Sequence, residues 1–249
     1  MKRKLKLITI LITFAVTLTF QSFAQENGID ITQDDFVEIP GMNFKMLKTE
    51  VTQKMYKSVM GENPSRFTLD DNRPVECVSM YDAIYFCNKL SVMYGKEPVY
   101  IVNGESDVTK WGYVSGYDDY IEGEILQNPD ANGYRLPTQD EWIYAAKGGE
   151  DYIYAGSNNP FEVGWSAANC YGSTRPVGGL YQNGYGLYDM SGNVNEWVWE
   201  YDSDFLNGVC RGGSYKEEPE KMLIKHLKLL KAKTCASVIG FRIVYNTSK

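Results

Sequence analysis

Two acidic side chains, Asp189 and Glu196, lie seven residues apart around a short turn that contains Ser191, Gly192 and Asn193. Glycine adopts positive φ readily, so this turn can direct main-chain carbonyl groups toward the space between the two carboxylates. Calcium takes six to eight hard oxygen ligands, commonly carboxylates combined with backbone carbonyls. The spacing therefore predicts a calcium site. The alternative is that Asp189 caps a turn and Glu196 pairs with a buried arginine, without a metal.

The imidazole and thiol groups limit other metal or redox chemistry. The chain has one histidine, His226, and five cysteines, at positions 77, 87, 170, 210 and 235. A single histidine excludes two-histidine zinc motifs, and the lack of a CxxC pair excludes zinc ribbons and thioredoxin-like motifs. Because five is odd, at least one thiol is free or pairs between chains. Cys87 is expected to be a small buried hydrophobe on a helix, whereas Cys210 and Cys235 could pair.

The segment 216–238 differs in charge from the rest of the chain. Its six lysines outweigh its three glutamates, a net of +3 (6 − 3), in a protein of net charge −7. Leu223, Leu227 and Leu230 fall at helical spacing, which predicts a basic amphipathic helix that meets a partner or an anionic membrane. The alternative is an ordinary surface helix, or a loop whose leucines fill the core. Membrane contact through 220–233 is the less favoured interpretation.

The first 24 residues have the pattern of a signal peptide. Four basic residues within positions 2–6 precede an apolar run at 7–20, and small residues at Ser22 and Ala24 occupy the −3 and −1 positions of a cleavage site. The run is too short to span a membrane, which favours a signal peptide. An uncleaved membrane anchor is the alternative. Cleavage near Ala24 leaves a net charge of −11 (21 − 32) and predicts an exported protein, which is periplasmic, at the cell surface or secreted.

Composition narrows the class of protein further. The chain has 249 residues, of which 43% are hydrophobic and 23% charged, as in a folded globular protein. A net negative charge without a stripe of lysine and arginine is unfavourable for binding nucleic acid. We therefore expect no nucleic-acid partner.

Elements with clear sequence signals are expected to position these groups. Apolar residues on either side of a Pro-Gly turn predict two strands, at 36–39 and 44–47. A short helix is predicted from Thr52 to Met60, before Gly61. Capping boxes predict the starts of two more helices, which Gly95 and Gly148 end; the boxes are Ser79 with Asp82 and Thr138 with Glu141.

The remaining central part of the chain is predicted to be rich in loops. Positions 149–213 are mostly Gly, Asn, Tyr, Trp and Ser, without long periodic runs. Such a stretch is ordered by side-chain hydrogen bonds, aromatic packing or a metal. No repeat or linker interrupts 35–246, so we predict one domain there, preceded by a short tether at 25–34.

Several motifs, in order along the chain, resemble the formylglycine-generating enzyme (sulfatase-modifying factor) family. The most specific is the run Asn-Gly-Tyr-Gly-Leu-Tyr-Asp-Met-Ser-Gly-Asn-Val at 183–194, which continues to Glu-Trp at 196–197. The others are Glu-Val-Thr at 50–52, Asn-Pro-Ser at 63–65, Arg-Pro-Val at 73–75, Gly-Tyr-Arg-Leu-Pro-Thr at 133–138, Arg-Gly-Gly-Ser-Tyr at 211–215 and Ile-Gly-Phe-Arg at 239–242. The resemblance implies a C-type-lectin-like α+β fold with little regular secondary structure.

The resemblance also implies which residues bind metals. The family's calcium site corresponds to the side chains of Asp189 and Glu196 and to the main-chain oxygens of Gly192 and Val194. Its active members oxidise a peptide cysteine to formylglycine with O₂, using two cysteines that hold Cu(I). Glu217 and Met222 occupy those two positions here. A carboxylate and a single thioether do not replace a pair of soft thiolates, so neither copper nor catalytic residues are expected.

The function expected from this pattern is binding rather than catalysis. Some relatives present the segment that corresponds to 205–238 as a hypervariable ligand-binding surface. The candidate residues of such a face are Tyr215, Lys216, Lys221, Lys225 and His226, and the ligand could be a protein, peptide or glycan. The alternatives are a formylglycine-generating oxidase with unusual ligands and a structural component of an envelope assembly. A pair of compensating frameshifts would also explain why 216–238 departs from the family pattern.

Overall fold

The computed structural model of the protein describes residues 28, 30–116, 120–200 and 207–247. The predicted signal peptide at 1–24 lies outside these residues, as do positions 25–27 and 29 of the predicted tether. The last part of that tether belongs to the domain, because Ile31 is fully buried in the core and the Asp30 amide donates to Ser58 Oγ (3.1 Å). Packing of this apolar residue places the domain's beginning at least four residues before the predicted start at position 35.

The chain forms a single α+β domain in which short helices surround open sheets, as predicted. The helices are α1 (Gln53–Met60), α2 (Met80–Met93), α3 (Gln139–Lys147) and α4 (Pro160–Val163), with 3₁₀ turns at Gln33–Asp35, Val108–Lys110 and Pro219–Lys221. The strands are β1 (Phe36–Glu38), β2 (Phe44–Leu47), β3 (Tyr100–Val102), β4 (Ile125–Gln127), β5 (Tyr134–Arg135), β6 (Gly164–Trp165), β7 (Ser191–Gly192), β8 (Asn195–Val198), β9 (Asn207–Arg211), β10 (Leu227–Lys231), β11 (Ile239–Phe241) and β12 (Val244–Asn246).

Local capping chemistry determines where the helices begin. Ser79 and Asp82 form the predicted reciprocal capping box of α2, with Ser79 N–H donating to Asp82 Oδ2 (2.8 Å) and Asp82 N–H donating to Ser79 Oγ (3.0 Å). Thr138 and Glu141 form the same box at α3, and Thr52 caps α1. These caps satisfy amide groups that the first helical turn leaves unpaired. All three predicted helices are therefore confirmed.

Two four-stranded sheets form the framework. One has the strand order β1-β2-β12-β5 and is antiparallel throughout. The other has the order β10-β9-β8-β11, in which only the β8–β11 pair is parallel. Consecutive in sequence, β11 and β12 lie in different sheets, so the short connection between them, including Arg242, joins the two sheets.

The core consists of aromatic and aliphatic side chains from both helices and sheets. Phe86 of α2 packs edge-on against Phe241 of β11 (5.2 Å between ring centroids) and stacks on Tyr56 of α1 (5.5 Å). Cys87 lies fully buried in the same cluster, as predicted. None of the helices among the described residues has the length and apolar composition needed to cross a membrane.

The segment 220–233 is not the predicted amphipathic helix. It contains the end of a 3₁₀ turn, then a loop, then strand β10, which pairs antiparallel with β9 from Leu227–Arg211 to Lys231–Asn207. Along β10 the side chains alternate between exposed and half-buried, the pattern of an edge strand with one face on the core. Pairing with β9 stabilises the strand although the leucine spacing also suits a helix.

Candidate functional site

A buried cluster of charged side chains lies at the junction of the two sheets. Arg242, immediately after β11, is fully buried and holds Glu196 of β8 through two bonds, from Nε to Oε2 (2.8 Å) and from an Nη atom to Oε1 (2.7 Å). The same guanidinium donates to the carbonyl oxygens of Leu47 (3.0 Å), Lys48 (3.2 Å) and Tyr188 (2.8 Å). It thus ties β2, β8 and the loop before Asp189 together, which is the buried-arginine arrangement that the sequence left as an alternative.

The cluster contains two more carboxylates, Glu50 and Asp189, and Glu50 lies beside the turn at 193–194. It is fully buried, and its oxygens accept from the amide of Val194 (3.0 Å) and from Asn193 Nδ2 (2.7 Å). Burial, with the negative charges of Asp189 and Glu196, raises the pKa of Glu50 well above its usual range. Three carboxylates and one guanidinium carry a charge of −2 when all are ionised, so the cluster is short of positive charge.

Asp189 is held in the left-handed conformation at φ 58° and is almost fully buried. Its Oδ2 accepts from the amide of Gly178 (2.6 Å), but its Oδ1 is buried without a hydrogen-bond partner in the part of the chain that the structure describes. Burial raises the pKa of Asp189 to about 6. An unpartnered buried carboxylate oxygen is rare in folded proteins and is what a bound cation would satisfy.

The turn between the two predicted calcium ligands has the expected backbone shape. Gly192 takes φ 90°, as predicted, and a Cβ atom there would lie 2.3 Å from the carbonyl oxygen of Trp165. The Asp189 side of the cluster thus fits a cation. The Glu196 side fits less well, because Arg242 bonds both of its oxygens and Trp142 Nε1 donates to one of them (2.7 Å). Among the described residues, no three His, Cys, Asp or Glu side chains group in a way that could hold a metal by themselves.

The residues at the two positions of the family's catalytic cysteines have other partners. Glu217 accepts from Lys228 Nζ (2.8 Å), Asn195 Nδ2 (3.0 Å) and Ser214 Oγ (3.0 Å). Burial alone would raise its pKa, but these bonds outweigh burial and lower the pKa of Glu217. Met222 is fully buried in a small apolar cluster with Tyr154 and Val163.

The five cysteines do not form a substitute thiolate pair. All are free thiols: Cys87, Cys170 and Cys210 are buried, Cys77 is half-buried and Cys235 is exposed. Cys210 and Cys235, which the sequence suggested could pair, are not bonded to each other. Instead the Cys77 amide donates to the carbonyl of Ala236 (3.1 Å), next to Cys235. Burial raises the pKa of Cys77 to about 12 and that of Cys235 to about 11, so both are protonated at neutral pH.

The predicted binding-face residues separate into two groups. Lys216, Lys221 and Lys225 are exposed, and His226 is half-buried with a pKa lowered by burial and by nearby lysines. Tyr215 is buried: its ring packs edge-on against Phe67 (5.5 Å) and its hydroxyl lies 3.1 Å from Ser237 Oγ. Tyr215 therefore supports the face from below and does not form part of its surface.

Four residues could not be assigned from the sequence: two in the charged cluster around Arg242 and two that bond Glu217. Glu50 and Arg242 belong to motifs that carry the family resemblance, but nothing in their local sequence indicates that they meet across nearly 200 positions. Asn195 and Lys228 lie in neighbouring parts of one sheet, and the helix prediction placed Lys228 on the wrong element. Leu227, Lys228 and Leu229 alternate as in a strand, but Leu230 interrupts the pattern, so the local signal for a strand is short.

Comparisons with known proteins agree with this architecture. The sequence matches the family described as "Sulfatase-modifying factor enzyme 1-like domain" over residues 13–247. The chaperone protein LppX of Paenibacillus barcinonensis is 37% identical over 219 residues, which cover 73% of this chain and 77% of LppX. The inactive C-alpha-formylglycine-generating enzyme 2 of Bos taurus is 38% identical over 100 residues, a third (33%) of each chain.

Among solved structures, Treponema denticola variable protein 1 is similar with a TM-score of 0.75 and 30% identity, covering 85% of this chain and 91% of that protein. The fold and the extent of the sequence match both indicate the same family. The chain belongs to the sulfatase-modifying factor (formylglycine-generating enzyme) family.

Proposed function

We propose that this protein is a non-catalytic, exported member of the family that acts as a binding module for another protein or peptide. The main support is that Glu217 and Met222 stand where the family's copper-binding members have two cysteines. Glu217 is engaged by Lys228, Asn195 and Ser214, and Met222 fills an apolar cluster. Neither position offers a thiolate, which the family's Cu(I) chemistry requires.

Two relatives support the direction of this proposal. The bovine relative is named an inactive formylglycine-generating enzyme, so the domain is known outside catalysis. LppX is named a chaperone protein, a function that consists of binding other proteins, and the present chain matches most of its length. A chaperone-like role toward an exported protein is therefore the more specific form of the proposal. Export itself rests on the N-terminal sequence pattern alone.

Copper binding tests the non-catalytic part. In a competition titration with the chromogenic Cu(I) chelator bicinchoninate, the protein is expected to leave the copper on the chelator. Four of its thiols are unfavourable ligands because the raised pKa values of Cys77, Cys87, Cys210 and Cys235 keep them protonated. The matched variant Glu217→Cys with Met222→Cys restores the family's thiol pair and is expected to compete at least about tenfold better.

The opposite outcome of this titration has a defined meaning. If the unmodified protein withdraws one equivalent of Cu(I), and a serine substitution at Cys77, Cys170, Cys210 or Cys235 abolishes the withdrawal, the protein has a copper site built from other cysteines. The oxidase interpretation would then replace the binding module.

We further propose that calcium binds at Asp189, with the main-chain oxygens of Gly192 and Val194 and a share of Glu196. Support comes from the unpartnered Asp189 Oδ1 and from the negative charge that Arg242 leaves uncompensated. Calcium there would neutralise the cluster and fix the 189–196 turn. A rise in the melting temperature of EDTA-stripped protein on addition of calcium is the test.

A further inference from the structure

The edge of the second sheet carries an unusual combination of side chains. Among the described residues, β10 pairs only with β9, so no strand covers its other edge. Leu227 and Leu229 lie on its solvent face, 41% and 66% exposed. Natural proteins protect such an edge with lysines and inward charges, and Lys228 and Lys231 disfavour pairing with a like-charged strand here, but the exposed leucines still offer a template for a strand of opposite charge.

The inward face of β10 anchors the strand and leaves that edge in place. Lys228 turns inward to Glu217 (2.8 Å), and Leu230 packs against the main core. Because residues alternate along the strand, Leu227, Leu229 and Lys231 are left on the outer face. The inner face of β10 thus holds the strand on the core, while its outer face and its unpaired edge remain available for a partner.

Charge determines what kind of strand would fit. The segment 216–233 has six lysines and three glutamates, whereas the whole chain is acidic. Lys225 and Lys231 are exposed at either end of the leucine pair. A second copy of this chain pairing through β10 would bring two lysine-rich strands together, and like charges on opposed strands are destabilising. An acidic partner strand would instead be attracted by Lys225 at one end of the leucine pair and by Lys231 at the other.

We infer that the open edge of β10 is a docking site for an extended acidic peptide segment of a partner protein, which adds as a fifth strand. Main-chain hydrogen bonds to β10 provide affinity, Leu227 and Leu229 contact the peptide's apolar residues, and Lys225 and Lys231 select acidic neighbours. The inference rests on the proposed binding function and specifies its surface and the chemistry of its partner. An amphipathic-helix contact with a membrane has no basis here, because the segment forms a strand.

The probe for this site is a set of fluorescein-labelled ten-residue peptides that alternate glutamate with valine, isoleucine or threonine. Fluorescence anisotropy is expected to show saturable binding that weakens with salt. The same peptides with lysine in place of glutamate should bind at least tenfold more weakly, as should acidic peptides with proline at alternate positions. Hydrogen exchange should show slower exchange of amides within 227–231 when the acidic peptide is bound.

Variants separate the two contributions. Lys225→Glu with Lys231→Glu, and Leu227→Ser with Leu229→Ser, should each weaken binding at least tenfold. Matched controls with the same changes elsewhere on the surface, Lys57→Glu with Lys147→Glu and the single change Leu69→Ser, should bind as the parent does. Circular dichroism of each variant confirms that the fold is retained.

Several results would overturn the inference. These are equal binding of acidic and basic peptides, unchanged binding by both β10 variants, no binding by any acidic peptide, and dimerisation through β10 in sedimentation. Failure here remains distinguishable from failure of the proposed function. If a partner protein binds the chain and the β10 variants do not affect it, the module binds through another surface; stoichiometric copper uptake would contradict the non-catalytic proposal itself.

Discussion

Replacing Arg242 by methionine is expected to lower the free energy of unfolding by about 3–5 kcal/mol. Among the residues that the structure describes, Arg242 is the one guanidinium that bonds Glu196, and the change leaves the three buried carboxylates without its compensating charge. It also removes donors to the carbonyl oxygens of Leu47, Lys48 and Tyr188. Urea denaturation measures the loss, and for a domain of this size each kcal/mol also lowers the melting temperature by about 2–4 °C.

Two companion variants test the physical reason. Arg242→Lys keeps the charge but cannot reproduce the forked contact with Glu196 and the three carbonyl bonds, so it should also be strongly destabilised. The control, Arg66→Met, removes an exposed arginine and should change stability by less than about 0.5 kcal/mol. If Arg242→Met does not fold, the lysine variant still provides a measurable loss. Stability equal to the parent in Arg242→Lys would show that charge alone matters at this position.

Asp189→Asn is expected to be more stable than the parent without calcium and to lose this advantage when calcium is added. Asparagine tolerates the left-handed conformation that Asp189 adopts, so the substitution changes charge with little backbone strain. In EDTA, the variant should be the more stable protein at pH 7, because it no longer buries a carboxylate. With calcium at about 100 times its dissociation constant, the parent alone should gain about 2.7 kcal/mol.

The pH dependence of this difference follows from the raised pKa of Asp189. The group titrates near 3.8 when exposed and at about 6 in the folded protein, so the folded state binds the proton more tightly. Its stabilising contribution is complete below about pH 4 and is lost as the pH rises through 6. Two pKa units correspond to about 3 kcal/mol, so the calcium-free parent should fall behind Asp189→Asn by about 2–3 kcal/mol between pH 4 and 7.

Urea denaturation of both proteins at several pH values provides the measurement. A constant difference across this range would show that Asp189 is already compensated in the folded protein. Calcium stabilisation that persists in Asp189→Asn would place the ion elsewhere. Either result would remove the basis for the proposed calcium site.

The helices were predictable because their signals are local. Ser79 with Asp82 and Thr138 with Glu141 satisfy amides within one turn, so four residues of sequence contain the whole interaction. Gly148 at φ 62° ends α3 for the same local reason. The rest of the fold was predictable only from the family resemblance, because the short strands and loops have little periodicity of their own.

Strand β10 was not predictable in the same way, since its conformation depends on β9. Leu223, Leu227 and Leu230 have helical spacing, but Leu229 is exposed and Lys228 is turned inward to an acidic partner eleven residues earlier. A lysine on the inner face is unfavourable unless a carboxylate such as Glu217 receives it. Tertiary pairing therefore decided between two conformations that the local sequence allowed.

The charged cluster illustrates the same limit for the site. Asp189 and Glu196 could be paired from their spacing, but Glu50 and Arg242 reach them from the two ends of the domain. Their burial follows from the β11–β12 connection between the sheets, which no local pattern indicates. The sequence thus identified the turn and left open whether a metal, an arginine or both balance its charge.

The central claim is that this member of the family binds rather than oxidises. The most direct test incubates the purified protein with Cu(I), O₂ and a Cys-x-Pro-x-Arg peptide and measures the product by mass spectrometry. The expected result is unmodified cysteine, because Glu217 and Met222 cannot hold the copper that the reaction needs. Copper-dependent conversion of the cysteine to the aldehyde would contradict the claim.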